Sequence, residues 1–187
     1  MEKKNQTIRY DDKYYDEILN KNRVIFLYDL TDDGSAEKIN KKLISMMLRN
    51  KKRPISIEIN SPGGSCAGGL SIVDTIYRLI EKGTPVYTII SGRASSMGSV
   101  ISIVAAKRFI TKNAYYMMHP MTLGGGIDYL SFKQDRLKYA KELDNRLINL
   151  YRKHTKVPEK LIKKSIHGEV WLNAEECLKY GVVDKIL

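Results

Sequence analysis

Apolar residues recur along this chain in two rhythms, short β-branched runs and longer stretches at helical spacing, and their order predicts an architecture. Tyr14–Leu19 predicts a short helix, and Arg23–Tyr28 a β-branched and aromatic strand. Asp32-Asp33-Gly34-Ser35 is a turn and helix start leading into Ala36–Arg49, where Ile39, Leu43, Ile44, Met46, Met47 and Leu48 fall at helical spacing. Pro54–Asn60 predicts the next strand. Ala67–Glu81 carries Leu70, Ile72, Val73, Ile76, Leu79 and Ile80 as an amphipathic helix stopped by Gly83 and Pro85. Val86–Ser91 then predicts a strand, Met97–Ala106 a nearly all-apolar buried helix, and Arg108–Ile110 and Tyr115–Met118 two short strands. This alternation suits βαβ crossovers, so the expected class is α/β with a mainly parallel sheet. The Ile- and Val-rich strands predict that both faces of that sheet are covered.

Beyond Leu123-Gly124-Gly125-Gly126 the rhythm changes. Asp128 to Lys153 predicts one long helix, with Leu130, Leu137, Ala140, Leu143, Leu147 and Tyr151 in a single apolar stripe between charges. A helix of this length needs an apolar partner and would project from an isolated domain of this size. The stripe is therefore a candidate subunit contact, the plainer alternative being an ordinary core helix.

Composition narrows the class further. The 187 residues suit one domain, spanning 14–187, after a polar, charged and mobile segment at 1–13. A hydrophobic content of 43% argues against disorder. No stretch approaches the roughly 18 apolar residues of a membrane span, and Met1–Gln6 has no apolar run behind it to make a secretory signal. Cys66 and Cys177 make no disulfide framework and read as small buried residues of a reducing compartment, hence a cytoplasmic protein. His119, His154 and His167 have no metal-ligand spacing, and neither a metal nor another cofactor is expected. The formal charge of +11 comes from Lys and Arg spread along the chain. Without aromatic stacking platforms it predicts a solvated basic surface rather than a nucleic-acid or membrane partner.

Candidate chemistry is concentrated between Ile59 and Pro120. Ser96 lies between a β-rich run and an apolar run of helical length, a turn that places its hydroxyl near unpaired helix N–H groups. Gly63-Gly64 follows another strand and can bring bare amides close to a reacting carbonyl. His119, beside Pro120, closes a third strand. A serine hydroxyl needs such a base before it becomes a nucleophile at neutral pH. Each piece alone is ordinary: a turn, a close-packing small-residue cluster, a satisfied polar histidine. Ser95 and Ser99 flank the candidate and read as packing residues.

In combination, Asn60-Ser61-Pro62-Gly63-Gly64, Ser95-Ser96-Met97-Gly98 and Met117-Met118-His119-Pro120-Met121 resemble the Clp protease proteolytic subunit family of serine peptidases. The resemblance runs from about residue 14 onward, through Arg23–Leu27 to Tyr180-Gly181-Val182-Val183-Asp184, although His119 is followed directly by Pro120 where the family has Gln-Pro. It implies a crotonase-like fold of repeated ββα-type units with a long protruding "handle" at 122–153, through which two stacked heptameric rings meet. It assigns Ser96 as nucleophile, His119 as base, and the N–H groups of Gly64 and Met97 as the oxyanion hole. Matching Trp171-Leu172-Asn173-Ala174 to the family's aromatic-x-x-Ala segment places Glu169 where the family has the aspartate that orients the base. Glutamate is one methylene longer. Asp184 reads as structural.

The implied activity is endopeptidase cleavage of unfolded polypeptides to short peptides inside an enclosed chamber. The chain has no Gly-x-x-x-x-Gly-Lys-Ser/Thr loop, so any ATP-dependent unfoldase is a separate partner. The polar first dozen residues do not resemble the family's axial loop. Three alternatives stay open: a non-catalytic ring subunit, an acyl-CoA hydratase or isomerase using the Gly-Gly turn, and a signal-peptide peptidase, which would need a membrane segment.

Overall fold

The computed structural model describes residues 12–30, 32–121 and 130–187. A seven-stranded sheet forms the frame. It takes β1 (Val24–Leu27), β2 (Ile55–Ser61), β3 (Val86–Ser95), β4 (Lys107–Ile110) and β7 (Lys185–Ile186) in that spatial order, all parallel. β5 (Tyr115–Met118) pairs parallel with β3, and β6 (Val170–Leu172) antiparallel with β5. Between them run α1 (Asp12–Asn22), α2 (Asp33–Arg49), α3 (Cys66–Glu81), α4 (Met97–Ile103), α5 (Leu130–His154), α6 (Glu159–Ser165) and α7 (Ala174–Lys179). None of the helices among the described residues is long and apolar enough to cross a membrane.

Local chemistry explains most boundaries. Asp32 caps α2 by accepting from the Ser35 N–H at 2.7 Å, and Ser65 caps α3 through the Gly68 N–H. Asn173 and Glu176 form a reciprocal capping box at the start of α7. Arg23 enters β1 with φ 61° and is buried. Its guanidinium donates to the carbonyls of Met46, Asn50, Arg53 and Pro54, tying the end of α2 to the start of β2. Desolvation first, then the nearby Arg53 charge, lowers its pKa.

The core confirms the α/β reading and refines it. Ile25, Leu27, Ile55, Ile57, Ile59, Val86 and Ile90 are buried along the central strands. Their neighbours Ser56, Glu58, Tyr87 and Ile89 are only half-buried, so one face of the sheet is fully covered and the other incompletely. β3 runs on to Ser95, beyond the expected end at Ser91, and α4 stops at Ile103 rather than Ala106.

Helix α5 divides the predicted stripe. Ala140, Leu143, Leu147 and Tyr151 are buried within the chain, whereas Leu137 is 53% exposed. The second half of α5 is thus core, and Tyr151 and Leu143 are not available as subunit contacts. The expected mobile segment at 1–13 (all but its last two residues) and the Gly-rich stretch at 122–129 lie outside the described residues.

Candidate active site

The site arises from a division within one strand. β3 pairs with β4 over Tyr87–Ile90, but with β5 over Arg93–Ser95. Between the two lies Gly92, at φ 102°, where a Cβ would meet the Asn60 side chain at 2.7 Å. The second half of β3 delivers Ser96 alongside the end of β5, where the Ser96 N–H donates to the Met117 carbonyl at 3.1 Å. His119 follows Met118, the last residue of β5.

Ser96 stands at φ 53°, ψ −125° as the residue before α4. An L-residue pays on the order of 1–3 kcal/mol for such a backbone, and it persists only where its surroundings hold it. Here they do. The Ser96 carbonyl accepts from the N–H groups of Ser99 (3.0 Å) and Val100 (3.3 Å) and from Ser99 Oγ (2.6 Å). A strained strand-to-helix turn of this kind lifts a serine hydroxyl clear of the backbone, as a nucleophile requires.

Gly63 and Gly64 close against this turn. A Cβ on Gly63 would fall 2.5 Å from Ser96 Cβ, and one on Gly64 would fall 2.0 Å from the Leu30 carbonyl oxygen. Both positions have positive φ, 101° and 139°. The Gly63 N–H donates to Ser61 Oγ at 3.1 Å. The N–H groups of Gly64 and Met97 have no partner among the described residues, and Met97 opens α4, where the first amides are unpaired.

Ser96, His119 and Gly64 line one cavity of about 60 Å³ together with Cys66, Met121, Leu147 and Tyr151. Ser96 and His119 are both half-buried. Among the described residues no hydrogen bond joins their side chains. Ser95 is buried in β3 and Ser99 is buried and hydrogen-bonded, so neither competes for the cavity.

The antiparallel register sets Met118 opposite Val170 and Met117 opposite Trp171. One residue beyond the paired stretch come His119, after β5, and Glu169, before β6. The Glu169 carboxylate is exposed and accepts from Trp171 Nε1 at 2.8 Å. Asp184 is held by Arg108 through a 2.6 Å ion pair and a backbone bond, away from the cavity. Burial raises its pKa, but the Arg108 bonds and charge prevail and the net shift is downward. His154 meets Tyr77, and His167 lies in the turn after α6.

Three residues of this site carried no motif in the sequence. Cys66 lines the cavity half-buried, its thiol pKa raised by burial and then by the charge of Asp144. Asp144 accepts from the Met121 N–H at 3.0 Å. Tyr151 reaches Ser99 Oγ at 2.9 Å. For Asp144 and Tyr151 the only signal was their spacing on α5, which puts them with Leu147 on one face.

Against known families, residues 5–187 match the model of the Clp protease family. The chain belongs to the Clp protease family. Its relatives include the ATP-dependent Clp protease proteolytic subunit 1 of Chlamydia caviae, 36% identical over 175 residues, covering 91% of this chain and 88% of that protein. The corresponding subunit 1 of Protochlamydia amoebophila is 36% identical over 170 residues, 88% of this chain and 80% of that protein. The ATP-dependent Clp protease proteolytic subunit of Streptococcus mutans is 36% identical over 191 residues, 97% of this chain and 93% of that protein. The mixed α/β architecture agrees with membership of the Clp protease family.

Proposed function

We propose that this chain is a serine endopeptidase that cuts unfolded polypeptides through an acyl-enzyme. The observation that carries this reading is the cavity shared by Ser96 and His119 at a strained turn, with the Gly64 amide on its wall. Ser96 Oγ attacks the scissile carbonyl carbon while His119 takes its proton. The carbonyl oxygen becomes an oxyanion, met by the N–H groups of Gly64 and Met97. His119 then returns the proton to the departing amine, leaving an ester on Ser96. Water, deprotonated by His119, cleaves that ester and restores the serine. Glu169, one residue before β6 as His119 is one residue after β5, is the carboxylate that orients the imidazole. The subunits form rings, two stacked heptamers meeting through the 122–153 region, and a separate ATP-dependent unfoldase feeds the chamber; in support, the relatives' names carry the words "ATP-dependent".

The test is labelling with a fluorophosphonate probe and mapping of the modified residue. Labelling confined to Ser96, lost in Ser96→Ala with assembly unchanged, is the expected result. Modification at Ser95 or Ser99, or labelling that survives Ser96→Ala, sinks the assignment.

One observation favours a second reading, a weakly active structural subunit: the Glu169 carboxylate is engaged by the Trp171 indole. Glu169→Gln separates the two. In a working triad it lowers turnover by about ten-thousand-fold, the scale of the trypsin-like example, and Glu169→Asp restores activity. Unchanged turnover in Glu169→Gln removes Glu169 from the mechanism.

A further inference from the structure

Helix α5 touches the site at two points that no motif marks, one at the Ser96 turn and one on the segment after His119. Ser99 Oγ donates to the Ser96 carbonyl at 2.6 Å. A hydroxyl has a single proton, so in the 2.9 Å contact with Tyr151 the tyrosine must be the donor. The result is a directed chain, Tyr151 O–H to Ser99 Oγ to the Ser96 C=O, ending on the strained residue itself. Tyr151 is fully suited to stay the donor, because burial pushes its phenol up to about 12.

The second point lies one face-repeat earlier. Asp144 stands seven residues before Tyr151, two helical turns and roughly 10 Å along the same face of α5. Its Oδ1 accepts the N–H of Met121, two residues past His119. The carboxylate is close enough to the cavity for its charge to act on both Cys66 and Tyr151. Between the two polar contacts, Leu147 packs on the cavity wall.

We propose that Tyr151 and Asp144 are positioning residues, through which one face of α5 clamps the nucleophile turn and the segment after the base into reactive register. Neither touches the reacting atoms. Tyr151 fixes the Ser96 carbonyl through Ser99, and Asp144 fixes the backbone that carries His119. The inference rests on the serine-peptidase reading above. It makes the Ser96–His119 geometry a property of how α5 is docked, rather than of the sheet alone.

The experiment measures the second-order rate of fluorophosphonate labelling, peptide kcat and KM, and the melting temperature for the full chain and its variants. Tyr151→Phe, Ser99→Ala and Asp144→Ala are each expected to slow labelling tenfold or more and to lower kcat in parallel, with KM within twofold. The double variant Tyr151→Phe with Ser99→Ala should be no slower than the worse single, because both cut one chain. Asp144→Asn should regain most of the rate, since an amide oxygen accepts the same N–H. Should Tyr151→Phe or Asp144→Ala fail to fold, Ser99→Ala and Asp144→Ser cut the same two links. Labelling at the parental rate in folded variants overturns the clamp while leaving Ser96 as nucleophile. So does a rise in KM at constant kcat, or a melting-temperature loss with the labelling rate intact. If the parent chain itself is not labelled at Ser96, the peptidase reading fails first and the clamp falls with it.

Discussion

Gly63 and Gly83 both adopt a backbone that favours glycine, at φ 101° and 84°, yet they answer to different constraints. A Cβ on Gly63 would collide with Ser96 Cβ, whereas one on Gly83 would meet nothing within 4 Å. Gly63→Ala is therefore expected to abolish probe labelling by displacing the Ser96 turn. Gly83→Ala should cost only backbone strain, about 1–2 kcal/mol in a melt, with labelling intact. Equal labelling in the two would show that the Gly63 contact does not hold Ser96. At this scale the sequence was legible where chemistry demands a rare backbone. The Gly-Gly turn, the serine before a helix and the histidine at a strand end could each be placed from local pattern. Tyr151 and Asp144 could not. Their partners are a hydroxyl on α4 and an amide beyond β5, so their roles exist only after the tertiary fold brings α5 down. In a hydropathy pattern Tyr151 counts simply as one more apolar residue.

Among the elements, α5 carries the sharpest expectations. Leu137 is exposed and Leu143 buried, so the same charge has opposite readouts at the two. Leu137→Glu should leave the melt unchanged and reduce particle mass in light scattering, if the first half of α5 joins subunits. Leu143→Glu should destabilise the single chain by several kcal/mol, because it buries a carboxylate without a partner. A lower mass without any loss of stability in Leu143→Glu would contradict the packing described. At the far end of α5, His154 shares a 2.7 Å hydrogen bond with Tyr77. Burial first, then the charges of Lys153 and Arg108, holds its imidazole below the ordinary value near 6.5. Above that value both folded and unfolded chains carry it neutral. As pH falls through it the unfolded chain gains the proton first, so stability declines toward acid pH. Urea midpoints measured from pH 7.5 to 5.5 should drop, and His154→Gln should flatten part of that slope. An unchanged slope in His154→Gln would remove His154 as a contributor. The long periodic elements were legible to within a few residues. β6, with three residues, was not, since so short a strand has no periodicity and exists only through its partner.

For the whole molecule, the alternation of strands and helices was enough to foresee a parallel sheet, but not its branching. Gly92 supplies the bend that lets β3 serve two neighbours in succession. The consequence is an unequal distribution of cooperativity. His119 and Glu169 ride at the end of a two-stranded ribbon, β5 with β6, whose only sheet pairing to the rest among the described residues runs through Arg93–Ser95. Breaking those few ladder bonds, with the core packing of Tyr116, Met118, Val170 and Leu172, separates His119 from Ser96 while β1 to β4 stay intact, and the ribbon is expected to open as a unit of lower free energy than the global fold. Amide hydrogen exchange would register this directly. The Ser96 N–H, bonded to the Met117 carbonyl, should exchange together with the amides of β5 and faster than those of Ile57 and Ile89. Exchange of all of these at one common rate would mean that the β5–β6 ribbon and the central sheet unfold only together.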